Sequence, residues 1–490
     1  MVSSGSLAGL TVSADPSLRR QDDGRVLIGG SPLSVMRLSS AGASVVTRLL
    51  GGEPAPAGNS ASHLLRRLLE TGMVHPLPTG TPFALTDVTV VIPVHGSLHP
   101  ELFDAIRGVA AIIVVDDASP EPIDLPAHNV QGVSATVIRV GDQQGPATAR
   151  NIGAGRVATP ITAFLDADCV PSDGWLELLL GHFSDPSVSV VAPRIVPTDP
   201  VEDRPTRLAR YEHIRSALDL GSRPARVRAR SRVSFVPSAA LVVRSDIVRT
   251  HHGFVPSMTV GEDVDFVWRV DESGHTVRYE PAATVAHRHR TTIRSWAHRR
   301  FDYGTSAGPL ARRHPGALTP LETSGWSIAL WALLATGHLV GAGAVFAGTA
   351  ALLARKLESI EKPVPAALRL AAAGHLGAGR LVAQSLVRPW WPVTLLIAAL
   401  VPSRKFRAVL LGAALAPAVM DWVRERPPLD PVSYVALRLA DDIAYSSGVW
   451  VGSARARTLE PLVPDFTSWP KPSRYSALRS FTRGESLPPL

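Results

Sequence analysis

Hydrophobic and polar residues change their spacing several times along the 490-residue chain, and each change predicts a different kind of structure. Near the N-terminus, a short apolar run at 26–28 ends at two glycines and predicts a strand. A first helix then begins after Ser39 or Ser40, either of which can cap it. In 61–71 leucines recur at helical spacing, and this second helix ends at Gly72. Strand, helix, helix and a short closing strand predict a small winged-helix-like module.

Beyond this module, β-branched runs alternate with helical segments. Helices are predicted over 98–108 and after Gly145. The alternation of strands and helices with short connections favours a doubly wound α/β sheet with right-handed crossovers. No Gly-x-Gly-x-x-Gly follows the first strand, which argues against a dinucleotide-dependent oxidoreductase. The apolar runs that predict buried parallel strands lie at 89–94, 111–119, 135–140 and 161–170.

The last third of the chain is strongly apolar. Residues 327–354 contain no Asp, Glu, Lys or Arg and are long enough to cross a bilayer. Two shorter apolar runs, 392–402 and 408–419, predict interfacial or re-entrant helices. We expect this region to be membrane-associated, with a buried helical bundle as the alternative. The predicted domains are a small N-terminal domain, an α/β domain, a hydrophobic helical region and an amphipathic, Pro-rich tail, at 1–80, 84–315, 325–425 and 426–490.

Composition narrows the class of partner and the compartment. The net charge of +8 and the pI near 10.1 suit an anionic partner such as nucleic acid, a nucleotide or a lipid surface. The single cysteine, Cys169, excludes an internal disulfide framework and a multi-cysteine zinc site. The first residues lack the basic start and apolar core of a secretory signal, so we expect a cytoplasmic location.

Two carboxylates follow the last predicted parallel strand, in the sequence Asp166-Ala167-Asp168. An extended backbone would direct both to one side, at the edge where open α/β sheets bind ligands. Carboxylates this close repel each other unless a hard cation such as Mg²⁺ or Mn²⁺ lies between or beside them. The alternative is a solvated turn after a buried strand.

Further polar residues stand at the ends of other predicted strands. Asp116 and Asp117 end the second strand, where a carboxylate can accept a hydrogen bond from a base or a ribose, or can cap a turn. Arg150 and Asn151 lie about one turn into the helix that begins at Gly145. A helix N-terminus attracts phosphate, and an arginine binds it with two donors. The alternative for Arg150 is a surface salt bridge.

Acidic and basic residues also gather further along the chain. Glu262 and Asp263 precede an amphipathic helix, where a carboxylate can act as general base towards an attacking hydroxyl or can simply favour the helix dipole. The segments 284–290 and 295–304 are rich in His and Arg. Within the first of them, His287 is a candidate metal ligand. The alternative is a basic face that meets lipid headgroups.

Taken in order, the segments VIPV, VVDDAS, GPATARN, FLDADC and GEDVDFVWR resemble the inverting nucleotide-sugar glycosyltransferases of family 2, which have the GT-A fold. The resemblance covers residues 88–310. It implies a nucleotide-sugar donor, Mn²⁺ or Mg²⁺ as cofactor, and no nucleic-acid partner. It also implies that the catalytic base lies at Glu262 or Asp263, with Asp263 at the matching position.

The resemblance assigns the neighbouring residues as well. Family members that act processively carry Gln-x-x-Arg-Trp after the base, whereas this chain has WAHRRF from Trp296 onward, so processivity is not implied. Residues expected on the nucleotide-sugar side are Pro93, Asp116, Asp117, Arg150, Asn151, Asp166 and Ala167. The expected metal ligands are Asp168, Asp166 and His287. Residues expected on the acceptor or diphosphate side are Trp268, Arg269, Trp296, Arg299 and Arg300.

Residues 26–75 resemble the small peptide-binding domains of systems that make quinone-like cofactors from peptides. With a transferase and an apolar C-terminal region, the whole chain resembles the glycosyltransferases of mycofactocin systems. This implies transfer of glucose from UDP-glucose onto a peptide-derived redox cofactor, building an oligosaccharide at the cytoplasmic face of the cell membrane. One alternative is transfer to a cell-envelope lipid or polysaccharide. The other is a non-catalytic, peptide-binding membrane scaffold.

Overall fold

The structure is a computed structural model that describes residues 7–78, 80–98, 100–125, 129–130, 132–198, 205–288, 292–358 and 362–466. The described chain divides into two compact units. The first contains the residues up to 20 and from 27 to 292, and the second contains residues 21–26 and those from 293 onward. Residues 289–290, which belong to the predicted basic segment 284–290, lie outside the described residues, as does the end of the predicted tail.

The N-terminal part of the chain forms a small α/β module. Its strands, β1 to β5, are Thr11–Ala14, Arg19–Gln21, Val26–Gly29, Ser34–Arg37 and Val74–Leu77. Its helices, α1 and α2, are Ser40–Leu50 and Asn59–Thr71. Strand β1 pairs antiparallel with β5, and β2, β3 and β4 form a separate sheet in that order.

Local signals place both helices of this module. The Ser39 hydroxyl caps α1 by accepting a hydrogen bond from the Gly42 N–H at 3.1 Å. Gly72 ends α2 with φ of 68°, a left-handed conformation that favours glycine. The leucine stripe of α2 is buried in the module's core, as the spacing predicts. The two helices are therefore confirmed, and the winged-helix-like arrangement stays a prediction.

A ten-stranded mixed sheet forms the centre of the first unit. Its strands, β6 to β15, are Val88–Val94, Ala111–Asp117, Asn129–Val130, Val133–Val140, Ile161–Leu165, Cys169–Pro171, Val188–Pro197, Ala225–Val227, Ala240–Arg244 and Thr276–His287. The helices around it, α3 to α7, are Pro146–Ala154, Trp175–Leu180, Arg207–Arg215, Ser245–Thr250 and Glu262–Glu272. The strand order is β11-β15-β12-β14-β10-β6-β7-β9-β8, and β13 pairs with the outer side of β15.

Only part of this sheet has the predicted doubly wound, parallel arrangement. Strands β10, β6, β7 and β9 are parallel, as their β-branched runs predict. Strand β14, however, lies antiparallel to both β10 and β12, so the sheet is mixed. The apolar run of β14 indicates that both of its faces are buried, and an antiparallel strand inside a mixed sheet can be buried in the same way as a parallel one.

Two predicted elements of this sheet region are shorter in the structure. The helix predicted over 98–108 is a 3₁₀ segment, Pro100–Ala105, whose apolar side chains still join the core of the sheet. The strand predicted over 161–170 ends at Leu165, because the Cys169 N–H donates to the Asp166 carbonyl at 3.1 Å and closes a turn. The extended backbone predicted for 166–168 is therefore wrong.

The second unit is mainly helical. Its helices, α8 to α15, are Ile293–Thr305, Ala307–Arg313, Gly325–Ala335, Leu339–Lys356, Pro363–Val387, Trp391–Leu400, Arg404–Glu425 and Pro431–Ala456. Two short parallel strands, β16 and β17, are Glu322–Thr323 and Asp465–Phe466. Helices α8 and α15 pack closely, since a Cβ added at Gly448 of α15 would lie 2.0 Å from the Phe301 carbonyl oxygen of α8.

The apolar runs of this unit divide differently from the prediction. The single span predicted over 327–354 is broken between α10 and α11, where residues 336–338 leave the helix. The run 408–419, predicted to be too short to span, belongs to the continuous 22-residue helix α14. Among the described residues, two helices, α11 and α14, have the length and composition needed to cross a membrane.

Candidate functional site

One buried arginine joins two of the predicted motifs. Arg150 lies in α3 and is 3% exposed. Its Nη2 donates to Oδ1 of Asp166 at 2.6 Å, and its Nη1 donates to Oε1 of Glu262 at 3.0 Å. The guanidinium also stacks over the ring of Phe254, 5.5 Å from the ring centroid. The end of β10 and the start of α7, which are far apart in the sequence, therefore meet at the Arg150 guanidinium. The alternative considered for Arg150, a surface salt bridge, is wrong, because the arginine and its ion pairs are internal.

The turn at 166–168 directs its two carboxylates to different partners. Asp166 faces Arg150, whereas Oδ2 of the half-exposed Asp168 lies 3.3 Å from Nε2 of His287. Antiparallel pairing of β11 with β15 creates this contact, because Cys169 is the register partner of His287. Two of the three predicted metal ligands, Asp168 and His287, are thus adjacent, and Asp166 is held by the arginine.

The chemistry of this pair suits a divalent cation that also binds its substrate. Among the described residues, no group of three or more His, Cys, Asp or Glu side chains is arranged for a metal ion. Mg²⁺ is commonly bound by one or two carboxylates together with substrate phosphates and water, and Mn²⁺ also accepts imidazole and carboxylate ligands. Asp168 and His287 therefore fit a metal whose remaining ligands come from a diphosphate.

Two adjacent acids begin α7, directly after Gly261, whose φ of 83° favours glycine. Burial and the neighbouring Asp263 raise the pKa of Glu262 to about 7, against the opposing effect of Arg150. Burial likewise raises the pKa of Asp263. Oδ2 of Asp263 accepts from the Ser238 N–H at 3.1 Å. Glu262 is buried, whereas Asp263 is half-buried and does not take part in the ion pair with Arg150.

The predicted uridine-binding acids are engaged by the protein itself. The fully buried Asp116 accepts from the Ser119 N–H at 2.8 Å and from the Arg139 guanidinium. Oδ1 and Oδ2 of Asp117 accept from the backbone N–H groups of Gln144 and of the residue after it, at 2.7 and 2.8 Å. These bonds hold the loop that leads into α3. A role of either carboxylate in binding uridine stays a prediction.

Other residues predicted on the nucleotide-sugar side also have structural contacts. The Asn151 side chain donates to the Phe254 carbonyl at 2.7 Å and accepts from the Phe254 N–H at 2.9 Å. It therefore holds the loop whose ring stacks on Arg150. Pro93 is buried in β6, and Ala167 is half-buried in the turn that carries the two acids. Sequence reasoning missed Phe254 and Ser238, because neither belongs to a charged or repeated motif.

Trp268 and Arg269, predicted on the acceptor or diphosphate side, make internal contacts. Trp268 is 3% exposed, and its indole N–H donates to the Ser234 carbonyl at 2.6 Å. Arg269 donates through Nε to Oδ2 of Asp265 at 2.8 Å and through Nη2 to the Gly253 carbonyl. These contacts give both side chains a role in packing α7, because their polar atoms are directed towards protein partners.

Trp296, Arg299 and Arg300 belong to α8 in the second unit. Arg300 forms a buried ion pair with Asp441 of α15, with Nε 2.9 Å from Oδ1, and lies over the Trp296 ring at 5.8 Å. Arg299 lies over the ring of Tyr303 at 4.9 Å. Arg300 and Trp296 therefore contribute to helix packing within this unit, and their predicted contact with acceptor or diphosphate stays untested.

Comparison with known proteins identifies the family of the chain. The profile described as Glycosyl transferase family 2 matches residues 89–248. The chain belongs to this family of glycosyltransferases. It is 41% identical over 468 residues to the pre-mycofactocin glycosyltransferase of Mycobacterium tuberculosis, a match that covers 93% of this chain and 97% of that protein. It is therefore a member of the pre-mycofactocin glycosyltransferases within family 2.

More distant similarities also involve sugar-transferring enzymes. Glycosyltransferase AglE of Haloferax volcanii is 25% identical over 202 residues, which cover 39% of this chain and 64% of that protein. The solved mannosyltransferase of Pyrobaculum calidifontis, in complex with GDP-Man and Mn²⁺, is 16% identical with a TM-score of 0.35. That similarity covers 70% of this chain and 89% of the mannosyltransferase.

Proposed function

We propose that this glycosyltransferase moves glucose from UDP-glucose to a hydroxyl of pre-mycofactocin, a peptide-derived redox-cofactor precursor. The transfer inverts the anomeric carbon, and repeated transfers build an oligosaccharide. The acceptor is supported by the similarity to pre-mycofactocin glycosyltransferase over nearly the whole chain. The resemblance to nucleotide-sugar enzymes and a site that suits a diphosphate support a nucleotide-sugar donor.

The observation that carries this proposal is the pair of hydrogen bonds from Arg150 to Asp166 and Glu262. A direct displacement needs the donor diphosphate and the base that activates the acceptor within a single site. Asp166 belongs to the Asp-x-Asp turn next to the candidate metal ligands, and Glu262 is adjacent to the candidate base. The shared guanidinium therefore supports a single site that contains both functions.

Asp263 is the proposed base. Its carboxylate would accept the proton of the acceptor hydroxyl while that oxygen attacks the anomeric carbon and the bond from this carbon to the diphosphate breaks. A carboxyl is a better base near neutral pH when its pKa is raised, and burial raises the pKa of Asp263. Glu262 is less suited to proton transfer, because Arg150 already occupies one of its oxygens at 3.0 Å.

A divalent cation would be held by Asp168 and His287. Bound there, Mn²⁺ or Mg²⁺ supplies positive charge that stabilises the leaving nucleoside diphosphate. Asp166, which was predicted to be a ligand as well, would act by fixing Arg150. This division of roles follows from the contacts of the two carboxylates, which have different partners.

For the proposed location at the cytoplasmic face of the membrane, the apolar helices support the membrane association. Helices α11 and α14 are apolar and largely exposed within their own unit. Apolar surface of this extent suits contact with lipid. The same observation favours a second candidate acceptor, a cell-envelope lipid or polysaccharide.

The test is transfer by purified full-length protein supplied with Mn²⁺, UDP-glucose and either pre-mycofactocin or a lipid extract. We expect mass spectrometry to show hexose units added to pre-mycofactocin, with no labelled sugar in the lipid. Asp263→Asn should lower the rate by about 100-fold or more, since a general base typically contributes that much. Transfer to lipid alone would establish the second acceptor.

A matched control separates catalysis from structure. Asp263 accepts from the Ser238 N–H and from the Val264 N–H through different oxygens, and Asn at position 263 keeps one oxygen for these two donors. Circular dichroism therefore checks that the variant retains the fold. Full activity of Asp263→Asn would contradict the assignment of the base. Unchanged biological activity of both Asp263→Asn and Asp168→Asn would favour a binding role without catalysis.

A further inference from the structure

Several arginines lie where the N-terminal module meets the ten-stranded mixed sheet, within the first unit. We call this sheet the catalytic sheet, because the candidate site lies on it. From the module, Arg66 of α2 makes two hydrogen bonds to Asp185, at 2.5 and 2.9 Å. From the catalytic side, Nη1 of Arg232 donates to Oδ2 of Asp15 at 3.0 Å. We call this region the arginine seam. Its arginines are Arg66, Arg226, Arg232 and Arg278.

Three members of the arginine seam have a carboxylate partner. Arg66 pairs with Asp185 and Arg232 with Asp15, while Nη2 of Arg226 donates to Oδ1 of Asp271 at 2.6 Å. A buried guanidinium remains charged at every physiological pH, so each one needs an anion or several hydrogen-bond acceptors. For these three arginines the protein supplies the anion.

Arg278 of β15 differs from the other three. It is 2% exposed, and within the described residues its Nε and Nη1 have no hydrogen-bond partner. Nε of Arg226 and Nδ1 of His75 are also buried without a partner among the described residues. Buried donors of this kind are rare in proteins, and a bound water molecule or ion is one explanation for them.

Two further arginines lie near Arg278. Arg226 of β13 is its direct register partner across an antiparallel pair, so the two side chains share one face of the sheet. Burial, with Arg226 and Arg66 nearby, lowers the pKa of Arg278 to about 10. Asp185 and Glu70 act in the opposite direction, but no hydrogen bond joins either carboxylate to Arg278 among the described residues.

We propose that a small inorganic anion binds at Arg278, in the arginine seam, and stabilises the docking of the N-terminal module on the catalytic sheet. The ligand is small because the arginine is almost completely enclosed by protein. The anion would accept hydrogen bonds from the unpartnered N–H groups of Arg278 and Arg226. The anion thereby supplies the charge that Asp185, Asp15 and Asp271 supply to the other arginines.

The experiment measures thermal unfolding of the full chain at constant ionic strength while chloride, sulfate or phosphate replaces a large organic anion. UDP and Mn²⁺ are present throughout, so that the donor site is occupied. We expect the melting temperature to rise and saturate with at least one of the three anions. Arg278→Met should abolish this rise, whereas Arg37→Met, at an exposed position of β4, should retain it.

Two further variants keep the test decisive. Arg278→Lys preserves the charge and should fold with a weaker anion dependence, even if the methionine variant does not fold. Glu70→Gln asks whether the nearby carboxylate is the true partner of Arg278. The proposal predicts that this variant keeps or strengthens the anion dependence. A wild-type melting temperature that no anion changes, or an anion dependence that appears only in Glu70→Gln, would overturn the proposal.

Discussion

Replacing Arg150 with methionine removes a buried cation that lies close to three carboxylates. Arg150 hydrogen-bonds to Asp166 and Glu262, and its positive charge also opposes the raised pKa of Asp263. The methionine side chain preserves much of the apolar stem that packs in α3. We expect the variant to be destabilised, and we expect the loss to depend strongly on pH.

The size of the effect follows from the state of Glu262, whose pKa is raised to about 7. At pH 6 its carboxyl is protonated with or without the arginine, so the loss is mainly the charged hydrogen bond to Asp166, about 2 kcal/mol. Above pH 7 the wild-type carboxylate is ionised and paired, whereas the variant must bury it unpaired or keep it protonated. Each unit by which the pKa of Glu262 rises further in the variant adds about 1.4 kcal/mol to the loss of stability. The total loss above pH 7 is therefore about 3–5 kcal/mol.

The sign follows from linkage. A carboxyl whose pKa is higher in the folded than in the unfolded protein costs stability as pH rises from the unfolded value to the folded one. In the wild type this loss is complete near the folded pKa of about 7. In Arg150→Met the folded pKa of Glu262 is higher still, so the loss continues above pH 7. The difference between the two proteins should therefore grow from pH 6 to pH 8.5.

Urea unfolding followed by tryptophan fluorescence, at pH 6 and pH 8.5, measures this difference. The matched control is the double variant Arg150→Met/Glu262→Gln, which removes the second charge together with the first. We expect it to recover most of the pH-dependent part of the loss. The reasoning fails if Arg150→Met loses the same stability at both pH values, or if the added glutamine gives no recovery at pH 8.5.

Three other predictions concern separate parts of the molecule. Arg66→Met should destabilise the protein by about 3 kcal/mol or more, because it leaves Asp185 buried without its bidentate partner; urea unfolding measures this. Gly448→Val should prevent α15 from packing on α8, because its Cβ would lie 2.0 Å from the Phe301 carbonyl oxygen, and increased proteolysis of α15 would show it. His287→Ala should raise the Mn²⁺ concentration for half-maximal transfer by about tenfold or more, measured in an activity titration.

Two of these changes have a control in the chain. Arg37→Met alters an exposed arginine and should leave stability nearly unchanged. Gly412→Val changes a glycine of α14 that has nothing within 4 Å of an added Cβ, so it should not expose α15 to protease. Equal effects of Arg66→Met and Arg37→Met, or of the two valine substitutions, would contradict the packing argument. An unchanged Mn²⁺ requirement in His287→Ala would exclude this histidine as a ligand.

Local signals in the sequence predict the strands and helices of the first unit well. The β-branched runs become β6, β7, β9 and β10, and Ser39 caps α1 as expected. These features depend on residues within one or two turns of each other. The antiparallel insertion of β14 between β10 and β12 depends on pairing between distant segments, and a buried strand has the same composition in either direction. That insertion could not be derived from the hydrophobic pattern.

The site shows the same division between residue type and geometry. Arg150 and Glu262 can each be singled out from their motifs, but they lie 112 positions apart, and nothing in the sequence indicates that they pair. The turn at 166–168 is similar. Alternation along a strand predicts that the carboxylates of Asp166 and Asp168 lie on one side. The backbone hydrogen bond that closes the turn instead leaves them with different partners. Residue type indicates the chemistry available, and long-range contacts determine which residue performs it.

Asp117 and Asn151 show why a polar residue beside a functional motif is hard to assign from sequence. Both have side chains suited to a nucleotide, and both are used here to hold a loop, at Gln144 and at Phe254 respectively. The two uses need the same acceptors and donors, so composition cannot separate them. The loop that Asp117 holds leads into α3, which carries Arg150. The loop that Asn151 holds carries Phe254, whose ring stacks on Arg150. Substituting either residue should therefore disturb the ion pair at the centre of the site, even if neither side chain touches the donor.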